Sequence, residues 1–142
     1  MSFDLKIVNN DLSINPDGNL QTVSDNSKLA QDVIKAILTP LGSNRFSRWY
    51  GSNVGNRVVG EAYDNTLTQT EIERDIQNVL SNIVAVQKAQ GRTQYVSPGE
   101  ALAGVREISV LRDRQDPRQY QITISLLTKQ LTVVEETFTL RI

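Results

Sequence analysis

Glu61 and Asp64 stand three positions apart, after Gly60 and beside Tyr63. Two carboxyl groups held roughly 5–10 Å apart are what glycoside hydrolysis requires. The spacing is common in soluble chains, however, and helix capping or pairing with Arg57 accounts for it as well. The chain has 142 residues and contains no histidine and no cysteine. That removes the Ser-His-Asp triad, the commonest metal ligand, thiolate zinc sites, cysteine nucleophiles and disulfides. Any catalysis would fall to carboxylates, lysine or tyrosine. Glu71, Glu73, Arg74 and Asp75 read as the solvated face of a helix, with acids in its first turn favoured by the dipole. Asp11, Asp17 and Asp25 do not have the spacing of a calcium loop, and Gly42, Gly51 and Gly55 precede no Gly-Lys-Ser/Thr phosphate loop. Arg112, Arg114 and Arg118 are offset by Asp113 and Asp116, which favours a structural turn over an anion site. The residue types therefore predict a protein that is not an enzyme and has no cofactor or metal.

The most distinctive stretch is Thr39 to Gly55. Three of the eight aromatic residues, Phe46, Trp49 and Tyr50, fall within five positions there, flanked by Arg45 and Arg48. Pro40 and three glycines interrupt any helical or strand period. Large rings in an ordered loop are costly unless something covers them. The segment is therefore either a structural plug or a recognition surface. With no catalytic residue types elsewhere, it reads as a plug: the rings anchor the loop in the core or at an interface, and the arginines reach neighbours.

Length and composition fit a single domain spanning 1–142. A net charge of −1 gives no bulk attraction to nucleic acid or to an anionic membrane. Ten arginines against five lysines suit planar, hydrogen-bonded interface contacts or reflect ordinary compositional bias. The first residues show neither a basic region nor an apolar run, so no signal peptide is expected. No apolar stretch approaches the ~20 residues that span a bilayer.

The elements that must position these residues form an α+β arrangement. Leu5, Ile7, Leu12 and Ile14 alternate with polar residues, Asn15-Pro16-Asp17-Gly18-Asn19 signals a turn, and Leu20–Val23 returns as a hairpin partner. Such a hairpin needs a helix or another chain to pack against. Ser24 to Ser27 offers caps for a first helix with its apolar stripe at Leu29, Val33, Ile34, Ile37 and Leu38, ended by Pro40. A short amphipathic piece is expected from about Asn53 to Val59. A long helix starts at Thr68, with Glu71 completing a capping box. It buries Ile72, Ile76, Val79, Leu80, Ile83 and Val86 or Gln87, and stops at Gly91 after roughly 20 residues, about 30 Å. Thr93 to Gly104 reads as loop. Strands follow at Val105–Arg112, around Tyr120-Ile122-Ile124-Leu126, and from Leu131 to the terminus, where Val134, Phe138, Leu140 and Ile142 form the apolar side interrupted by Glu136. These predict a three-stranded antiparallel C-terminal sheet behind an N-terminal β-hairpin and two to three helices. The last strand either completes its own sheet or pairs with another chain through a free edge.

Leu12-Ser13-Ile14, Gly18-Asn19-Leu20-Gln21-Thr22-Val23-Ser24, the helix carrying Leu29 and Ile34, Leu38 to Phe46, and Tyr50-Gly51-Ser52 resemble the baseplate wedge family of contractile-tailed phages. Its members are called lysozyme-like wedge proteins or sheath initiators, and relatives occur in tailocins, extracellular injection systems and type VI secretion baseplates. The resemblance follows the order of elements over the whole chain, and Thr39 to Gly55 is its most specific part. The family's Glu-Pro-Arg signature falls on Gly104-Val105-Arg106, where only the arginine matches. The resemblance implies a subunit of the virion's tail baseplate, assembled in the host cytoplasm and present in six copies. It implies two larger wedge proteins and the tail sheath protein as partners, with the tube or hub as an optional further neighbour. In that role the C-terminal strands are extended by the first sheath ring. Arg45, Phe46, Arg48, Trp49, Tyr50, Arg106, Val134, Phe138, Leu140 and Ile142 are the expected assembly residues. The family's traditional name keeps a peptidoglycan-cleaving glycosidase with paired carboxylates as the alternative.

Overall fold

In the second half of the chain, every second residue of the segment Tyr120, Ile122, Ile124, Leu126 is apolar, and all four are buried. This period of two makes a half-buried strand. The computed structural model describes residues 3–9, 11–54 and 65–141, with only the backbone of 65 and 66. Strand β6 (Gln119–Thr128) is the centre of an antiparallel sheet of order β5-β6-β7, flanked by β5 (Leu102–Arg112) and β7 (Val133–Arg141). β7 pairs with β6 without interruption from Gln119↔Arg141 to Leu127↔Val133. β5 carries register shifts between Leu102 and Gly104 and between Val105 and Glu107.

Two helices cover the apolar face of this sheet. α1 (Asp25–Leu38) buries Leu29, Ala30, Val33, Ala36 and Ile37. α2 (Asn65–Gln90) buries Ile72, Ile76, Val79, Leu80 and Ile83. α2 lies along β5, and α1 touches α2 and β7. One hydrophobic cluster joins both helices to Val110, Ile122, Ile124, Leu126, Val134 and Leu140. Each fully buried aliphatic side chain contributes about 1.5–3 kcal/mol, so the cluster fixes how helices and sheet sit together.

The expected α+β class, the long helix and the three-stranded antiparallel sheet are all present. Boundaries differ for local reasons. α2 begins at Asn65, so the Thr68–Glu71 capping box falls inside the helix. β5 begins at Leu102 because Leu102 N–H donates to Gln87 Oε1 at 2.8 Å, which pins the strand start to α2. β7 begins at Val133 because Leu131 has φ +64 in a turn closed by Thr128 and Thr132. The amphipathic piece expected at Asn53–Val59 lies almost wholly outside the described residues, so two helices are described.

At the N-terminus the turn at Asn15–Asn19 forms, with Gly18 at φ +83 and Ile14 bridged to Leu20. The expected partners change. β4 (Thr22–Ser24) pairs with β1 (Phe3–Leu5), and β2 (Ile7–Val8) pairs with β3 (Asp11–Leu12). The base of this arm is bound to α1. Lys35 Nζ pairs with the Asp4 carboxylate, and Gln31 Nε2 donates to Leu5 O at 2.8 Å. Phe3 at the base and Ile7, Val8, Leu12, Ile14 and Leu20 further out are between 42% and 66% exposed.

Candidate assembly interface

The loop after α1 is closed at its neck. Pro40 bridges Ser52, Ser52 N–H donates to Thr39 O at 2.9 Å, and Ser52 Oγ donates to Ile37 O at 2.5 Å. Gly51 makes this closure possible. It holds φ +110, and a Cβ there would stand 2.5 Å from Thr39 O. Val54 beyond the neck is fully buried.

The rings divide in their placement. Tyr50 is half-buried against the core cluster, and its hydroxyl pKa is raised by burial. Trp49 meets Tyr50 edge-on, with centroids 6.2 Å apart and planes at 80°, and stays 51% exposed. Phe46 is 95% exposed. Its outward position follows from an Asx turn in which Asn44 Oδ1 accepts from Phe46 N–H at 3.0 Å and Ser47 N–H at 3.3 Å. Of the two places expected for these rings, the core takes Tyr50 but not Phe46. Arg45 and Arg48 are exposed beside it. Trp49 and Tyr50 wall a partly open cleft of about 180 Å³, lined by Ala36, Val79, Ile83 and Val86 together with the polar Asp32, Asn82, Gln87 and Gln90.

A second feature is the sheet edge. Val134 and Leu140 are buried and Phe138 packs against the core, so the apolar side of β7 faces its own chain. What β7 turns outward is its backbone edge and the exposed residues Glu135, Thr137, Thr139 and Arg141. Glu136 sits opposite Ile124 and is only partly exposed. Gly104-Val105-Arg106 lies within β5 rather than before it, and Arg106 is exposed at the second irregularity. Ile142 lies outside the described residues, as do Glu61, Asp64, Tyr63 and Arg57.

The charged turn is structural, as its composition indicated. Asp113 Oδ1 accepts from Gln115 N–H at 2.7 Å, and Arg112 Nε donates to Pro117 O at 2.9 Å. Among the described residues no cluster of acidic side chains could hold a metal ion, and no helix is long and apolar enough to cross a membrane.

Neither a family model nor a curated protein matches this sequence. The fold is similar to that of a proposed tail lysozyme from Geobacter sulfurreducens. The two share 14% identity with a TM-score of 0.61, over 82% of this chain and 89% of that one. At that identity the likeness concerns the fold.

Three features had no visible signal in the sequence. The ion-paired base of the arm runs Lys28–Asp32 (2.6 Å), Asp32–Lys35 (3.3 Å) and Lys35–Asp4. The Lys35 hydrogen bond is the main cause holding the Asp4 carboxyl below its usual value. For Lys35, partial burial opposes the charge, but Asp4 and Asp32 outweigh it and raise its pKa. Gln87 clamps the β5 start, accepting from Leu102 N–H and donating Nε2–H to Glu100 O at 2.7 Å. Glu100 is 2% exposed, and among the described residues neither carboxyl oxygen has a hydrogen-bond partner.

Proposed function

We propose that this chain is a non-enzymatic structural subunit of a contractile-tail baseplate. In this reading it sits in the virion's wedge core with two larger wedge proteins, in six copies. It starts the tail sheath by offering β7 to a strand of the first sheath ring. The fold likeness to a proposed tail lysozyme supports a tail setting. The observation that carries the role is the contrast between the two sheet edges. β5 is broken by two register shifts, a device that blunts an edge, whereas β7 is regular throughout its pairing. A regular free edge is what strand addition uses.

The test must spare the core, because deleting β7 would remove Val134 and Leu140 from it. Thr137→Lys with Thr139→Lys places charge on the exposed side of the edge strand instead. Baseplates should incorporate this variant and fail to start sheath. Sheath of normal length on such baseplates would overturn the reading.

The neighbour's description favours a second reading, a peptidoglycan-cleaving glycosidase using Glu61 and Asp64. Clearing of cell-wall suspensions by the purified chain, abolished by Glu61→Gln, would establish it in place of the first.

A further inference from the structure

The hydrogen-bonding parity of β7 decides which of its residues face outward. Thr128 N–H donates to Thr132 O at 3.0 Å, and the pairing of β6 with β7 runs on from there without a bulge. Hydrogen-bonded and non-hydrogen-bonded pairs alternate along an antiparallel ladder. Val134, Glu136, Phe138 and Leu140 therefore turn their N–H and C=O groups toward β6. Glu135, Thr137, Thr139 and Arg141 turn theirs outward, and among the described residues no strand pairs with them there. The same four carry their side chains on the exposed face of the sheet. An acid thus stands near one end of the free ladder and a base at the other. We propose that β7 pairs with β7 of a second copy, antiparallel about a two-fold axis at Phe138, joining two three-stranded sheets into one.

Charge complementarity selects this occupant and this register. An antiparallel second copy can shift only in steps that keep outward-facing groups opposite one another. Centred on Glu135 or Glu136, the pair sets glutamate against itself. Centred on Thr137 or Thr139, no acid meets a base. Centred on Phe138, Glu135 of each copy stands opposite Arg141 of the other, and Thr137 opposite Thr139. Opposite charges and Thr–Thr pairs directly across a ladder are stabilising, and symmetry supplies each of them twice. Phe138, which is only partly buried, then meets its counterpart in a non-hydrogen-bonded pair, where side chains approach most closely. Arg141 is available for this: its guanidinium lies 3.7 Å from Asp116 and its side chain is 73% exposed. Glu135 has no ion pair among the described residues. The contact is isologous, so it closes at two copies and leaves outside only the interrupted β5 edges. The pairing does not rest on the baseplate reading. Under that reading, the dimer is a subunit whose sheath-starting edge stays covered until a wedge takes it up.

Sedimentation velocity over a concentration series, with residue-resolved amide exchange, tests it. Wild type should form dimers and nothing larger. As it does, the Thr137 and Thr139 amides should gain protection, while the Phe138 amide, already bonded to β6, should change little. Glu135→Arg sets arginine against arginine, and Arg141→Glu sets glutamate against glutamate. Each variant alone should dimerise roughly tenfold to hundredfold more weakly. Mixed in equal amounts, the two should form a heterodimer of about wild-type affinity, because acid again faces base at both ends. Both side chains are exposed, so each variant should keep the wild-type circular dichroism spectrum. Three results would overturn the proposal: a wild type that stays monomeric at every concentration, a dimer whose Thr137 and Thr139 amides gain no protection, or variants that fail to combine when mixed. Sheath growth on baseplates is read separately, so a failed dimer leaves the baseplate reading to its own test.

Discussion

Gly51→Ala separates backbone strain from steric conflict at the neck of the aromatic loop. Its φ of +110 is a conformation that side-chain-bearing residues rarely adopt, and forcing one there costs on the order of 1–3 kcal/mol. The added methyl would also stand 2.5 Å from Thr39 O, and ordinary contact begins at 3.4 Å, so the carbonyl must retreat by 0.9 Å (3.4 − 2.5). That carbonyl accepts the Ser52 N–H at 2.9 Å, and losing the bond costs about 1 kcal/mol more. The sum is roughly 2–4 kcal/mol, or a fall in Tm on the order of 10 °C for a chain of this size. Urea and thermal unfolding followed by circular dichroism measure it. Two other glycines serve as controls. Gly42→Ala meets nothing within 4 Å at φ +80 and should lose only the strain part, while Gly104→Ala has open space and no positive φ and should be close to neutral. If Gly51→Ala unfolded within about 0.5 kcal/mol of wild type, a surface-like value, the described neck geometry would be wrong.

Glu100→Met should raise stability by about 1–3 kcal/mol, because a buried carboxyl with no hydrogen-bond partner among the described residues is replaced by an apolar side chain of similar length. A lowered urea midpoint would mean the carboxyl has a stabilising partner. The N-terminal arm should loosen at both pH extremes. Asp4 has a lowered pKa, so its contribution is present above its ordinary 3.8 and is lost as pH falls through the lower folded value. Lys35 has a raised pKa, so its contribution is full below 10.5 and is lost as pH rises through the higher folded value. Because the pair is partly exposed, its worth is under about 1 kcal/mol and should shrink with salt. Amide exchange at Leu5 and Thr22 reads the loosening; protection unchanged from pH 7 down to pH 2 would refute it.

The sheet and the two helices were legible because their apolar periods coincide with burial in a shared core. Leu29, Val33 and Ile37 or Ile122, Ile124 and Leu126 could hardly face elsewhere. The N-terminal pairing was not legible, since strands of two or three residues carry too little period to choose a partner. Their choice was made by Asp4, Gln31 and Lys35, contacts between residues 27 and 31 positions apart. The aromatic loop was recognisable by composition, but sequence does not distinguish a ring that fills its own core from one held outward, as Tyr50 and Phe46 are. Glu100 was invisible because a glutamate beside a Pro-Gly turn reads as surface.

The tie between the start of α1 and the β6–β7 turn has a consequence for synthesis. Thr132 Oγ1 reaches Asn26 Oδ1 across 106 residues, and Ser97 Oγ reaches Asp25 across 72. Contacts of such separation carry a large loop-closure cost and slow folding. On a ribosome, α1 emerges early with Leu29, Val33 and Ile37 uncovered, and it waits for the final hairpin. The strand that completes this core is also the one with the regular outer edge. Until β7 has been made, the cluster that Leu29, Val33 and Ile37 share with Val134 and Leu140 stays open.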